Sequence, residues 1–349
     1  MLVRFVISNY LSFGEETEFN MLTGSVRRKK EHIYQFGDIE LLKTAAIYGP
    51  NGAGKSNFVG AVHLLQLFVV YKWSSVTSQF KPFKLGKQFS SKPTEFEIEF
   101  LKNSKMYIYG ISIFEGKILK EWLYQTSNRK EELIFSRKYI NGKTKINFND
   151  NKVSSEEDKL RIKLYEEELL ENTTPLLRKM ALAKKKFEEI KDAYNWFSND
   201  LHILYPVTKS NDLIINYQSD KTLQSYLNST LKTLGTGIHE LKYETFGLEE
   251  YYGKEQWHRV EEIEEEMPKD KSSYLRNYDD DSIAVWENDK IVIKRLITTH
   301  KNDANQSFEF DIHEESDGTK RLLDFLPIIY EIINNQKTVI IDEIDQSIH

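Results

Sequence analysis

The sequence predicts an α/β fold with a mixed sheet, an antiparallel β meander and an inserted helical arm or lid. Three observations carry that expectation. A glycine-rich turn stands between an apolar run and a one-sided apolar stripe, a second apolar run near the C-terminus ends in two carboxylates, and strictly alternating segments lie between them. The 349 residues are 40% apolar and 13% aromatic, which excludes global disorder and is enough for one large or two smaller cores.

Composition narrows the chemistry. The 48 Lys and Arg against 54 Asp and Glu give a net charge of -6, which argues against whole-surface attraction to nucleic acid but leaves room for a local basic groove. The absence of Cys excludes disulfide frameworks, thiolate zinc sites and cysteine nucleophiles. Met1 to Ile7 is too short an apolar run for a signal peptide, and no run approaches the roughly 18 apolar residues of a membrane helix. The expectation is a soluble, cytoplasmic protein without a membrane partner.

Taken in order, residues 2–7 and 17–22 read as paired strands at a sheet edge, separated by a loop with Ser12, Phe13 and Gly14. Leu41 to Tyr48 reads as a strand entering the glycine turn. Beyond that turn Phe58, Ala61, Val62, Leu65 and Phe68 recur at helical spacing. Alternation from about 94 to 137, with Asn103-Ser104 and Glu115-Gly116 between runs, predicts the meander. A polar stretch follows at 141–158. Thr174 is a candidate cap and Pro175 a candidate first residue of a helix on which Leu176, Met180, Ala183, Phe187, Ile190, Tyr194 and Phe197 form a heptad seam. That seam fits either a short coiled-coil arm joining subunits or, more simply, a helix burying one face on its own domain. The acidic stretch 255–289 contains Glu261 to Glu266 and Asp279 to Asp281. It reads as a solvated face, with a metal site on the triple Asp as the sharper alternative. Alternation returns at 290–294 and 307–312.

Gly49-Pro50-Asn51-Gly52-Ala53-Gly54-Lys55-Ser56 is a complete G-x-x-x-x-G-K-S phosphate loop. Glycines let successive backbone N–H groups converge on phosphate oxygens, and the helix that follows turns its positive end to the same anion. Lys55 is placed to reach the β and γ phosphates and Ser56 to ligate Mg2+, while Asn51, Gly52, Ala53, Gly54 and Asn57 complete the nucleotide-binding set. Thr338 to Glu343 reads as a Walker B strand, buried on both faces of a parallel sheet. Asp342 would serve the metal, and Glu343 would orient or deprotonate water. Between the two motifs, Glu315-Ser316-Asp317-Gly318-Thr319-Lys320-Arg321 precedes a stripe of Leu322, Leu323, Phe325, Leu326, Ile329 and Ile333. It reads as a second anion-facing turn at a helix N-terminus.

These strings resemble the ATPases with ABC-type heads, among them SMC proteins, RecF and the OLD proteins. Phe5 to Phe13 is similar to their first strand and loop, GPNGAGKSN to their phosphate loop, ESDGTKRLL to their signature, and Asp342 to His349 to their Walker B and D-loop segment. Within that group the strings most resemble bacterial AAA-type phage-defence ATPases such as AriA of PARIS, PtuA of Septu and RloA-like proteins. The resemblance implies a P-loop NTPase of ABC-head type that binds ATP and Mg2+ and works in pairs. Ser316, Gly318 and Thr319 of one copy would meet the nucleotide held by another, in a homodimer or higher homo-oligomer that controls a nuclease or toxin effector.

The same resemblance implies an N-terminal lobe over 1–140, a helical and acidic insertion over 141–289, and a C-terminal lobe over 290–349 that lacks its last strands. Gln79 and Gln88 are candidates for the Q-loop. His300 precedes the signature, so it reads as a strand-end or loop histidine. A DNA-handling clamp using Arg27 to Lys30 and Lys184 to Lys186, or a scaffold that holds ATP and sequesters a toxin, are the alternatives.

Overall fold

A computed structural model describes residues 1–24, 29–71, 81–127, 130–149, 153, 155–169, 173–183, 187–206, 213–267, 274–277 and 282–344. Arg27-Arg28, Gln79, Lys184 to Lys186, Asp279 to Asp281 and Asp345 to His349 lie outside the described residues. The chain divides into two compact units, one of residues 1–204 and 336–342, the other of 205–335 and 343–349.

The first unit opens with β1 (Leu2–Ser8) and β2 (Thr17–Asn20), antiparallel as expected. The hairpin β3 (Ile33–Phe36) and β4 (Ile39–Leu42) follows, and then α1 (Lys55–Val70). Residues 94–148 form the meander β5 (Thr94–Lys102), β6 (Lys105–Phe114), β7 (Lys117–Ser127), β8 (Lys130–Ile140) and β9 (Lys143–Phe148). The seven-stranded sheet runs β2-β1-β5-β6-β7-β8-β9, with β2 at its edge. Left-handed backbone at Asn103-Ser104 (φ 50° and 58°) and Glu115-Gly116 (φ 48° and 73°) makes the tight turns whose twist matches the strands.

Next come α2 (Glu156–Leu164), α3 (Leu176–Ala181), α4 (Glu188–Asn195) and β10 (Leu201–Leu204). The heptad seam is therefore not one helix. Helix α3 ends at Ala181, and Phe187 is extended (φ -81°, ψ 136°) before α4 restarts. Phe187 and Phe197 of the seam, and Trp196 beside it, serve this unit's own core: Trp196 stacks on Phe100 at 4.2 Å, Phe197 meets Tyr109 edge-on at 5.5 Å, and Phe148 packs on Phe187 at 5.0 Å. These contacts, together with β9 extending the meander, explain why the first unit runs on to Leu204 instead of ending near residue 140.

The start of α3 also differs from expectation. Pro175 occupies the cap position with extended backbone, and Thr174 contributes only its carbonyl, which accepts from Arg137 Nη1 at 3.0 Å. The cap is Glu121 on β7, whose carboxylate accepts from the amides of Leu176 (2.7 Å) and Leu177 (2.9 Å) and from the Tyr109 hydroxyl (3.1 Å), with Arg137 3.4 Å away. Burial pushes the Glu121 carboxyl up, while Arg137 and the two amides oppose that shift.

The second unit is a five-stranded antiparallel sheet with helices on both faces. In chain order it contains α5 (Leu213–Ser219), α6 (Lys221–Thr233), β11 (Ile238–Gly247), α7 (Leu248–Tyr252), α8 (Trp257–Glu266) and β12 (Leu275–Arg276). It continues with β13 (Ile283–Glu287), β14 (Lys290–Lys301), β15 (Ser307–Asp311) and α9 (Asp317–Asn334). The sheet order is β11-β14-β13-β12, with β15 also on β14. Leu241, Ile283 and Leu296 pack on α5, α6 and α9 through Leu223, Leu227, Leu323 and Leu326. The opposite face gives Ala284 and Ile293 to Leu248, Ile263 and Met267 of the α7–α8 side. On α8 only Ile263 is buried, so the glutamates around it are a solvated face, as expected.

The last strand, β16 (Thr338–Ile341), belongs to the first unit and pairs in parallel with β10.

Candidate nucleotide site

The phosphate loop stands at the start of α1. Gly52 (φ 81°) and Gly54 (φ 95°) take the left-handed conformation that turns the chain into the helix, which has no side-chain cap. At Gly54 a second constraint applies, because a Cβ there would come within 2.7 Å of the Ser12 hydroxyl. Ser12 also accepts from Asn57 Nδ2 at 2.9 Å, so the β1–β2 loop braces the phosphate loop. Lys55 Nζ donates to the carbonyls of Gly49 (2.7 Å) and Pro50 (3.0 Å), which holds the cation against the first two residues of the loop.

The expected strand into this loop does not form. The hairpin partner β3 ends the ladder at Leu42, and residues 44–50 lie outside any strand and are exposed, with Tyr48 90% accessible. The loop geometry thus rests on its own glycines and on Ser12.

From β16, Asp342 reaches the same place. The Ser56 hydroxyl donates to Asp342 Oδ1 at 3.2 Å across 286 positions of sequence, and the Asp342 amide is fixed by the Leu204 carbonyl of β10 at 2.8 Å. A hydroxyl and one carboxylate converging beside a phosphate loop fit Mg2+, which takes one or two protein oxygens and fills its octahedron with water and phosphate oxygens. Strand β16 is half-buried along its length, not buried on both faces, because β10 is its only ladder partner among the described residues. Glu343 is exposed and has φ 51°, a left-handed conformation uncommon outside glycine and asparagine and concentrated at functional turns.

In the second unit, Ser316 caps α9. Its hydroxyl accepts from the Thr319 amide at 3.1 Å and lies 2.9 Å from the Thr319 hydroxyl. Ser316 and Asp317 are exposed, Gly318 is half-buried and Thr319 is buried. Lys320, 2.8 Å from Asp317, holds that carboxyl below its ordinary range. Arg321 turns inward, with its guanidinium 4.2 Å over the Phe325 ring and Nη2 on the Tyr205 carbonyl at 2.9 Å. The expected stripe is only half used: Leu323, Phe325 and Leu326 are buried and Leu322 is half-buried, whereas Ile329 and Ile333 are exposed.

Residues 45–349 match the family described as "AAA domain, putative AbiEii toxin, Type IV TA system". The chain belongs to this AAA-domain family. No curated protein matches it. Membership supports nucleotide binding by the AAA domain and accords with its mixed α/β character and large antiparallel sheet. No helix among the described residues is long and apolar enough to cross a membrane.

Three residues that brace these turns were not legible as such. Ser12 lies in a loop whose role is set by residues more than forty positions away. Thr298 and His300 meet Glu315 only because the β14–β15 hairpin folds back. Gln88 is exposed, in a short 3-10 turn (Lys87–Phe89). A cavity of about 540 Å3 lined by Phe246, Tyr251, Arg259 and Arg295 contains none of the expected site residues.

Proposed function

We propose that this AAA domain binds ATP with Mg2+ at Gly49 to Asn57 and Asp342 and hydrolyses it. In this reading it presents Ser316, Gly318 and Thr319 to the γ-phosphate held by a second copy. The observation that carries the reading is the Ser56–Asp342 contact beside the loop, which joins a hydroxyl, a carboxylate and the Lys55 cation from distant parts of the sequence.

Each residue has a defined task. The amides of Gly52 to Ser56 bind phosphate oxygens, and Lys55 leaves the Gly49 and Pro50 carbonyls to pair with the β and γ phosphates. Mg2+, when bound by Ser56 and Asp342, neutralises phosphate charge. The Glu343 carboxylate accepts a proton from the attacking water. Ser316 donates its hydroxyl hydrogen outward while its lone pair caps α9, so one oxygen serves both helix and ligand. Nucleotide then supplies a bridging charge between copies, and its hydrolysis removes that bridge.

The family's association with type IV toxin–antitoxin systems supports a role in anti-phage defence in which nucleotide state controls an effector, either a nuclease or a toxin. Fluorescent-nucleotide binding and phosphate release on the wild type, Lys55→Ala, Asp342→Asn and Glu343→Gln test the assignment. Lys55→Ala should weaken binding about a hundredfold, Asp342→Asn should remove the Mg2+ dependence of binding, and Glu343→Gln should bind but not turn over. Normal turnover by all three variants would refute it.

A further inference from the structure

Glu315 opens the ESDGTK turn, yet its side chain is only 8% exposed, although the residues on either side of it, Glu314 and Ser316, are both exposed. A carboxylate taken out of water needs donors, and it has two on a single oxygen. His300 Nε2 lies 2.7 Å from Glu315 Oε1, and the Thr298 hydroxyl donates to the same atom. Thr298 and His300 are two apart on β14 and so project from one face of the strand.

The imidazole is itself held. Phe310 of β15 meets its ring edge-on at 4.9 Å, and a Cβ on Gly237 would come 3.5 Å from its Nδ1. On the other side of Glu315, the next residue is the capping Ser316, and the Glu315 amide is bonded to the Ile312 carbonyl at 3.2 Å. A rigid strand therefore grips the residue adjoining the helix cap.

We propose that His300 and Thr298 are positioning residues for the Ser316 turn. By anchoring Glu315 to β14 they fix the direction in which the Ser316 hydroxyl and the first amides of α9 point, and so set how well this turn engages a γ-phosphate on a second copy. This rests on the trans-acting reading given under Proposed function. Glu315 then needs no contact with nucleotide, although it belongs to the motif, and His300 acts on the nucleotide only through it.

The test compares full-length wild type, His300→Ala, His300→Gln, Thr298→Val and Ser316→Ala. It uses three readouts: fluorescent-ATP binding at protein concentrations too low for association, ATP-dependent self-association by light scattering, and backbone hydrogen exchange over 312–322. His300→Ala should bind ATP like wild type, need about tenfold more ATP or protein to associate, and exchange faster over 312–322 but not along β11. His300→Gln, which restores an N–H donor, should recover most of the association, and Thr298→Val should show a smaller loss of the same kind. Wild-type association by His300→Ala and Thr298→Val, with Ser316→Ala impaired, would overturn the positioning role and leave the trans reading standing. Unimpaired association by Ser316→Ala would overturn both. Should His300→Ala not fold, the Gln and Val variants decide.

Discussion

The starts of α1 and α9 both face outward with polar residues, but they are built in opposite ways. At α1 no side chain caps the helix, and two left-handed glycines make the turn. At α9 the cap is Ser316, anchored from one side by the half-buried Glu315, and Gly318 sits inside the helix without a positive φ. The first turn is shaped by backbone that only glycine tolerates, so its information is contiguous in sequence. The second is shaped by side chains from another strand, so its information is spread over twenty residues. A third start, that of α3, marks the limit: its first two amides already have a carboxylate, Glu121.

Breaking the third start should have the largest effect. Glu121→Ala leaves the Arg137 guanidinium buried without its carboxylate and two α3 amides uncapped, which costs about 3–5 kcal/mol of stability in denaturant unfolding. A loss below about 1 kcal/mol would show that α3 is not held this way.

At the first start, Lys55→Ala should weaken ATP binding about a hundredfold, close to 2.7 kcal/mol, with the unfolding midpoint unmoved, because among the described residues Lys55 bonds only to carbonyls of its own loop. Gly54→Ala should destabilise by about 2 kcal/mol, since φ 95° and the Ser12 hydroxyl both oppose a methyl group. Thermal melts of Gly54→Ala with and without Ser12→Gly separate the two causes; a partial recovery in the double variant is expected.

The second start follows, with a smaller loss of stability than Gly54→Ala. Ser316→Ala should cost about 1 kcal/mol through the lost cap, yet abolish ATP-dependent association. A large loss of stability with association intact would reverse the roles assigned to this turn.

The contrast between the turns also explains what could be read in advance. The glycine turn before α1, the strand β16 and most of the meander were legible because each is a local pattern of glycines, of a short apolar run or of period two. Strand β9 was not, although Asn141-Gly142 (φ 52° and 78°) is a hairpin turn, because only Thr144 and Phe148 of that strand are buried and its lysines mask the alternation. The seam from Leu176 to Phe197 kept helical spacing through a break, because Leu176, Met180, Ile190 and Phe197 on either side of it are all buried. The strand expected over 41–48 failed since apolar residues make a strand only where a partner edge exists, and β4 turns back on β3 instead. Ser12, His300 and Glu121 act across long separations that no spacing rule spans.

The most direct test of the central claim, that two differently built anion sites on one chain meet across a nucleotide, is a mixing experiment by light scattering. Lys55→Ala and Ser316→Ala proteins are combined in ATP and Mg2+, and each is also measured alone. Neither variant should associate alone and the mixture should, because one intact loop and one intact turn then face each other. Association by either variant alone, or none in a mixture whose Ser316→Ala partner still binds ATP, would contradict it.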